Sequence, residues 1–254
     1  MKKTKYQLTI GWLYPTLMNT YGDRGNILVL QKRAQWRDID VKIERISPNS
    51  NSNLISTCDL FFMGGAQDTQ QEIVNLDLLG SKGNVLLNAL KMGIPGLFIC
   101  GGYQFLGRHY ITSENVKIKG LGFFDMYTQS PKNQQTRLVG NCVMTVKNKD
   151  LNISDVLGFE NHNGRTYLSN NSQSFATVIS GNGNNGEDKT EGIIFKNSIG
   201  TYLHGPILPK NPQIADFLIA KALEIKYKKS IKLESLDDSL EIKAKIKILK
   251  GINQ

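Results

Sequence analysis

The stretch "GIPGLFICGGYQFLG", residues 93–107, decides how the chain is read. Leu97, Phe98 and Ile99 form an uninterrupted apolar run, the mark of a short strand buried on both faces of a sheet. Two glycines follow Cys100, and "GYQFLGRHYI" has the composition to open a helix. A strand, a Gly-rich turn and a helix make a tight elbow that presents the residue at its tip, here Cys100. In open α/β sheets ligands bind at that carboxyl edge. There Gly101 and Gly102 allow a substrate to approach, and backbone N–H groups at the helix start favour a thiolate or an oxyanion. The competing reading of Cys100 is a small buried hydrophobe.

Outward from this elbow the first half repeats one rhythm. "YQLTIGWLY" and "VKIERIS" have strand composition and flank "GNILVLQKRAQWRD", whose apolar residues fall at helical spacing. "CDLFFMGG" is another buried strand ending in glycines, and "QDTQQEIVNLDLLGSKGNVLLNALKMG" reads as one or two helices. Alternation of this kind implies an α/β fold, a mostly parallel sheet flanked by helices. From about residue 119 short strands separated by Gly, Asn and Ser predict antiparallel additions. "NPQIADFLIAKALEIKY" is helical again, with Asn211 as a cap and Pro212 at the first position. We expect a single domain over 1–254 with a C-terminal helix at about 235–250.

The 254 residues carry a formal net charge of +9, but the basic residues are scattered except in "KYKKSIK" and "KAKIKILK". Only Tyr227 interleaves with them, too little for base stacking, so no nucleic acid is expected. No apolar run approaches the roughly 18 residues of a membrane span, and the N-terminal segment lacks a signal-peptide pattern. A cytoplasmic protein is expected. Cys58, Cys100 and Cys142 are at unrelated spacings, which suggests neither a disulfide framework nor a metal site. "GNGNNG", 181–186, matches a dinucleotide fingerprint letter for letter, yet it sits between two strands, the context of a hairpin loop. No phosphate-binding G-x-x-x-x-G-K-[ST] occurs, so ATP chemistry would belong to a partner.

A cysteine nucleophile needs a histidine as general base. His109, on the expected helix after Cys100, would be carried about 13 Å away by helical rise. His162 lies in "GFENHNGRTY", read as a loop, and His204 ends the strand-like "IGTYLH" before Gly-Pro. His204 is the better placed.

With these residues in hand, the chain resembles the class I (triad-type) glutamine amidotransferases, whose fold is flavodoxin-like. "PGLFICGGYQFLG" is similar to their nucleophile elbow, "FFMGGAQD" to their oxyanion loop and "GTYLHGPILPKN" to the segment of their catalytic histidine. "YGDRGNI", "GFENHNGRTYL" and "GNGNN" resemble the branch of cobyric acid synthase and, within it, the glutaminase subunits that serve lipid II amidation. The resemblance covers roughly residues 6–250. It implies that Cys100 attacks the side-chain amide of L-glutamine, that His204 moves the proton, and that Gly65 and Gly101 N–H groups hold the oxyanion. It further implies substrate contacts from Arg137 and Gln104, and no metal or cofactor in this chain. ATP and Mg would lie on a MurT-like ligase subunit, a heterodimer partner that amidates lipid II near the inner face of the membrane. One departure stands out: Pro206 occupies the place of the glutamate that many class I enzymes carry two residues after the histidine. The expectation is a Cys–His dyad or an acid from elsewhere, with the partner subunit as the supplier. A corrinoid acceptor or a non-catalytic subunit are the rival readings; the survival of nucleophile, base and oxyanion glycines weighs against the latter.

Overall fold

A computed structural model of the chain describes residues 6–66, 68–131, 137–146, 151, 153 and 155–252. The first half builds β1 (Tyr6–Leu13), α1 (Arg24–Gln35), β2 (Ile39–Ile46), β3 (Leu60–Met63), α2 (Asp68–Asp77), α3 (Gly83–Lys91), β4 (Gly96–Ile99) and α4 (Gly101–Phe105). A π-helical turn at Leu78–Lys82 joins α2 to α3, so the long helical segment is two helices. Every residue of β3 and β4 is buried, as their continuous apolar runs require.

The second half adds β5 (His109–Ile111), β6 (Lys117–Lys119), β7 (Met126–Gln129), β8 (Leu138–Thr145), β9 (Asp155–His162), β10 (Arg165–Leu168), β11 (Ala176–Ser180), β12 (Thr190–Glu191), β13 (Ile193–Phe195), β14 (Ser198–Thr201) and β15 (Leu203–His204). It ends in α5 (Ile207–Lys210), α6 (Pro212–Tyr227) and α7 (Ser239–Ile252). The central sheet has the order β13-β14-β4-β3-β1-β2 and is parallel except at the β13 edge. A sheet of order β10-β7-β5-β6 and an antiparallel sheet of order β12-β11-β8-β9-β15 accompany it. Apolar residues of α1 and α6 form one core with Leu8, Ile10, Phe62 and Leu97, while those of α2 and α3 form the other with Phe61, Met63 and Phe98. The sheet is covered on both faces.

Four expectations shift. The helix after Cys100 is only five residues long, and His109 lies instead on β5, stacked on Tyr127. His162 ends strand β9 and is buried, not in a loop. β13 and β14 form the expected antiparallel hairpin, but β14 also joins the parallel sheet beside β4. Asn211 does precede α6, but its side chain makes no cap bond; it pairs with the backbone N–H (3.0 Å) and C=O (2.8 Å) of Leu157.

The chain leaves β1, forms α1 and β2 on one side, then crosses to β3 on the other. That reversal opens a crevice at the carboxyl ends of β1 and β3. The four adjacent strands β14, β4, β3 and β1 all deliver their following residues to this edge. The seating of α1 matters there because Asp23 lies at its N-terminus. Buried Arg33 fixes it: Nε and Nη2 donate to Asp216 on α6 at 2.7 and 2.8 Å, and Nη1 donates to Asp238 ahead of α7 at 2.6 Å. Removing Arg33 would leave the partly desolvated Asp238 without this partner and Asp216 held by Arg37 alone. We expect Arg33→Ala to lower stability by about 3 kcal/mol, the low end for a broken buried pair because both aspartates keep some exposure, measured by denaturant melts against wild type.

Candidate active site

Cys100 follows β4 with φ 50° and ψ −105°, a backbone conformation that non-glycine residues rarely hold. The elbow is clamped from both sides. The Cys100 N–H donates to Thr201 O at 2.9 Å, and the Gly102 N–H donates to Gly64 O at 3.2 Å. A Cβ at Gly102 would stand 2.8 Å from Met63 O, so glycine there serves the approach of the elbow to β3. The Gly101 N–H sits at the first turn of α4, where the helix itself supplies no acceptor. Cys100 is partly exposed, while Cys58 and Cys142 are buried.

His204 is fully buried at the end of β15. Its Nδ1 lies 3.2 Å from Asp23 Oδ1, and Asp23 is itself fully buried. The acid expected from a partner therefore comes from this chain, in the "YGDRGNI" segment that links β1 to α1. The other oxygen, Oδ2, accepts the Gly65 N–H at 2.8 Å. His204 Nε2 is buried, and among the described residues no hydrogen bond to it is made. Burial alone would lower the His204 pKa, but charge on Cys100 and the hydrogen bond and charge of Asp23 override it and raise it. The ring of Tyr21 meets His204 edge-on, with centroids 4.9 Å apart. Tyr21 is half-exposed and holds φ 54°, a left-handed conformation in the turn before Asp23.

Gly65 lies between these groups. A Cβ there would stand 2.9 Å from His204 Cε1 and 3.2 Å from Cys100 Cβ, so the position admits no side chain. Its N–H, expected to serve the oxyanion, is held by Asp23 in this conformation. Arg137 is exposed and donates from Nε to Asn161 Oδ1 and from Nη2 to Asn161 O (3.1 Å) and the Tyr21 hydroxyl (3.3 Å). The guanidinium is thus brought beside the ring that covers His204. Gln104 is buried and donates from Nε2 to the Tyr202 hydroxyl at 3.0 Å, inside a network with Thr166 and Thr128. His162, the alternative base, stacks on Tyr202 at 3.6 Å and 7°, and its Nδ1 is paired with Gly164 O. Burial pushes it down to about 3, so the ring is neutral.

The "GNGNNG" loop has a different employment from the fingerprint it imitates. Asn182 N–H and Nδ2 donate to Glu160 Oε1 at 2.8 and 2.7 Å, and Gly183 N–H donates to Oε2 at 2.8 Å. The loop is a cradle for an anion, and the anion is a carboxylate of β9.

A strained thiol at a strand tip, a buried imidazole and a buried carboxylate lie at one sheet edge, and these are the parts that acyl transfer by a Cys–His–Asp set requires. The chain belongs to the CobB/CobQ-like glutamine amidotransferase family, whose domain it matches over residues 9–212. It is 42% identical over 254 residues to "Lipid II isoglutaminyl synthase (glutamine-hydrolyzing) subunit GatD" of Staphylococcus aureus, covering 98% of each chain. The GatD of Streptococcus pneumoniae is 39% identical over 92% of this chain and 88% of its own. A cobyric acid synthase of Listeria innocua matches at 32% over 58% of this chain and 28% of that protein. Among solved structures, PurLQS of Thermotoga maritima (TM-score 0.57, 10% identity, 89% of this chain and 100% of that one) and the acivicin-bound glutaminase domain of Trypanosoma brucei CTPS (0.55, 12%, 89% and 96%) share the fold.

The three thiols provide a direct check. Burial pushes the Cys58 thiol up to about 12, with Glu44 adding to the shift, and burial also raises Cys142. At neutral pH a thiol raised that far is less ionised than a free one by a factor on the order of 1,000. Iodoacetamide labelling followed by peptide mass mapping is expected to modify Cys100 first, with Cys58 and Cys142 reacting only as the fold opens.

Proposed function

We propose that this chain is the glutaminase subunit of a lipid II-amidating synthase. The observation that carries the reading is Cys100 in its strained elbow beside the His204–Asp23 pair, in a chain similar to GatD over nearly its whole length. Cys100 Sγ attacks Cδ of glutamine while His204 Nε2 takes the thiol proton. His204 then gives that proton to the amide nitrogen, the C–N bond breaks, and ammonia leaves a γ-glutamyl thioester. Water, deprotonated by His204, attacks the thioester; glutamate leaves and the thiol is restored. Asp23 keeps the ring oriented and offsets the charge of the imidazolium.

The Gly101 N–H is the oxyanion donor, and Gly65 joins it when its N–H turns from Asp23. Arg137 takes the substrate α-carboxylate with its planar fork. Ammonia passes to a MurT-like ligase subunit that uses ATP and Mg to activate the D-glutamate α-carboxyl of lipid II, giving D-isoglutamine. The short span of the cobyric acid synthase match supports this acceptor over a corrinoid. No helix among the described residues is long and apolar enough to cross a membrane; we place the complex at the inner face through its lipid-borne acceptor.

Ammonia release from glutamine, assayed on the chain with its ligase partner, tests the chemistry. Cys100→Ala is expected to abolish it, and Asp23→Asn to lower kcat by roughly 100-fold or more, because an amide cannot offset the imidazolium charge. Wild-type turnover in Cys100→Ala would sink the proposal, as would copurifying lipid II whose stem shows no carboxylate-to-amide mass change. Arg137→Ala is expected to raise KM for glutamine about 10-fold or more with a smaller change in kcat; unchanged KM would remove Arg137 from the substrate site.

A further inference from the structure

Glu191, at the end of β12, is a fully buried acid with no part in the chemistry above. Its Oε1 accepts from the Thr201 hydroxyl and from the Tyr202 N–H at 2.9 Å. Thr201 Oγ1 in turn accepts the Leu203 N–H at 3.1 Å, and Thr201 O accepts the Cys100 N–H at 2.9 Å. One carboxylate oxygen thus organises three consecutive residues that hold the nucleophile elbow on one side and lead into His204 on the other. The neighbouring Gly192 lies so close to this strand that a Cβ would stand 2.3 Å from Gly200 O. The second oxygen, Oε2, is buried and makes no hydrogen bond among the described residues. An apolar residue would fill such a site with less desolvation cost. What an apolar residue cannot provide is the shared acceptor.

We infer that Glu191 is a positioning residue for the glutaminase reaction, setting the backbone at 201–203 from which Cys100 and His204 take their relative placement; this rests on the glutaminase reading above. Its role is that of an acceptor and does not need a full charge. Burial pushes its carboxyl up to about 7 against the pull of the Thr201 and Tyr202 bonds, with Glu160 adding to the rise. A neutral amide of the same shape keeps the Oε1 acceptor, and alanine removes it.

The test is steady-state ammonia release by the full chain with its ligase partner, together with thermal melts. Glu191→Ala, folded, is expected to lose kcat about 10-fold or more while KM stays within about threefold, and Glu191→Gln to return kcat to within about threefold of wild type. Wild-type kcat in folded Glu191→Ala overturns the inference, as does a loss confined to KM or a Glu191→Gln variant as impaired as alanine. Should Glu191→Ala fail to fold, Thr201→Val removes the bridging hydroxyl alone, and its kcat decides in the same direction. A wild-type complex that releases no ammonia overturns the glutaminase reading. The alkylation rate of Cys100 then reads the elbow directly, and an equal rate in wild type and Glu191→Ala overturns the brace.

Discussion

Asp23 is an acidic side chain with no exposure to water, and its two oxygens face different parts of the molecule. One lies 3.2 Å from the His204 imidazole, and the other takes the Gly65 N–H at 2.8 Å. Burying a carboxylate is costly unless donors replace the lost hydration. Here the partners come from β15 and from the turn after β3, so the carboxylate is satisfied only when the start of α1, the end of β3 and β15 have assembled. The same requirement explains the rest of the edge. Gly65 must lack a side chain because His204 and Cys100 occupy that space, and α1 must be fixed along its length, which the Arg33 ion pairs do from the opposite end.

Carboxylates recur as organisers across this half of the molecule. Glu160 is wrapped by the N–H groups of the 181–183 loop, and Glu191 takes Thr201 and Tyr202. Leu203 and His204 pair with Glu160 and Phe159 of β9. The short segment 201–204 is therefore bounded on one side by the acceptor of β12 and on the other by a strand whose own acid is fully satisfied. A histidine on a two-residue strand has little regular structure to hold it. Side-chain acceptors replace the missing ladder, which ties the polar loops of the second half to the geometry of the site.

The legible parts of this site were local. Cys100 is readable because its strand, its glycines and its helix are contiguous, and His204 because a strand end before Gly-Pro is a sequence-level event. Asp23 was missed because it meets His204 across 181 residues, a distance over which periodicity carries no information. The signal was present in "YGDRG", a polar Gly-flanked turn between a parallel strand and its helix, hence at the ligand edge. Asn and Gly around His162 favour a loop, whereas pairing with Leu138 on β8 makes it strand. The length of α4 is set by a related constraint. "GYQFLG" has helical propensity, but Gly107 and Gly120 must approach backbone to backbone there, since a Cβ at Gly120 would stand 2.2 Å from Gly107 O. Tertiary contact outranks propensity at such points.

The exposure pattern sets the direction in which a substrate must arrive. His204 and Asp23 are sealed in the interior, and only the thiol side, with Arg137 and Tyr21 beside it, meets solvent. Seclusion keeps the imidazole interacting with the thiol and the carboxylate across a medium that screens weakly, which is why these two acids outweigh its own desolvation. An exposed imidazole would lose most of that coupling to water. Pro206 leaves the place after the histidine without an acid, and the acceptor facing Nδ1 comes instead from Asp23, just ahead of α1. Its distance from Cys100 along the chain changes while the physical requirement, a buried acceptor on Nδ1, stays met.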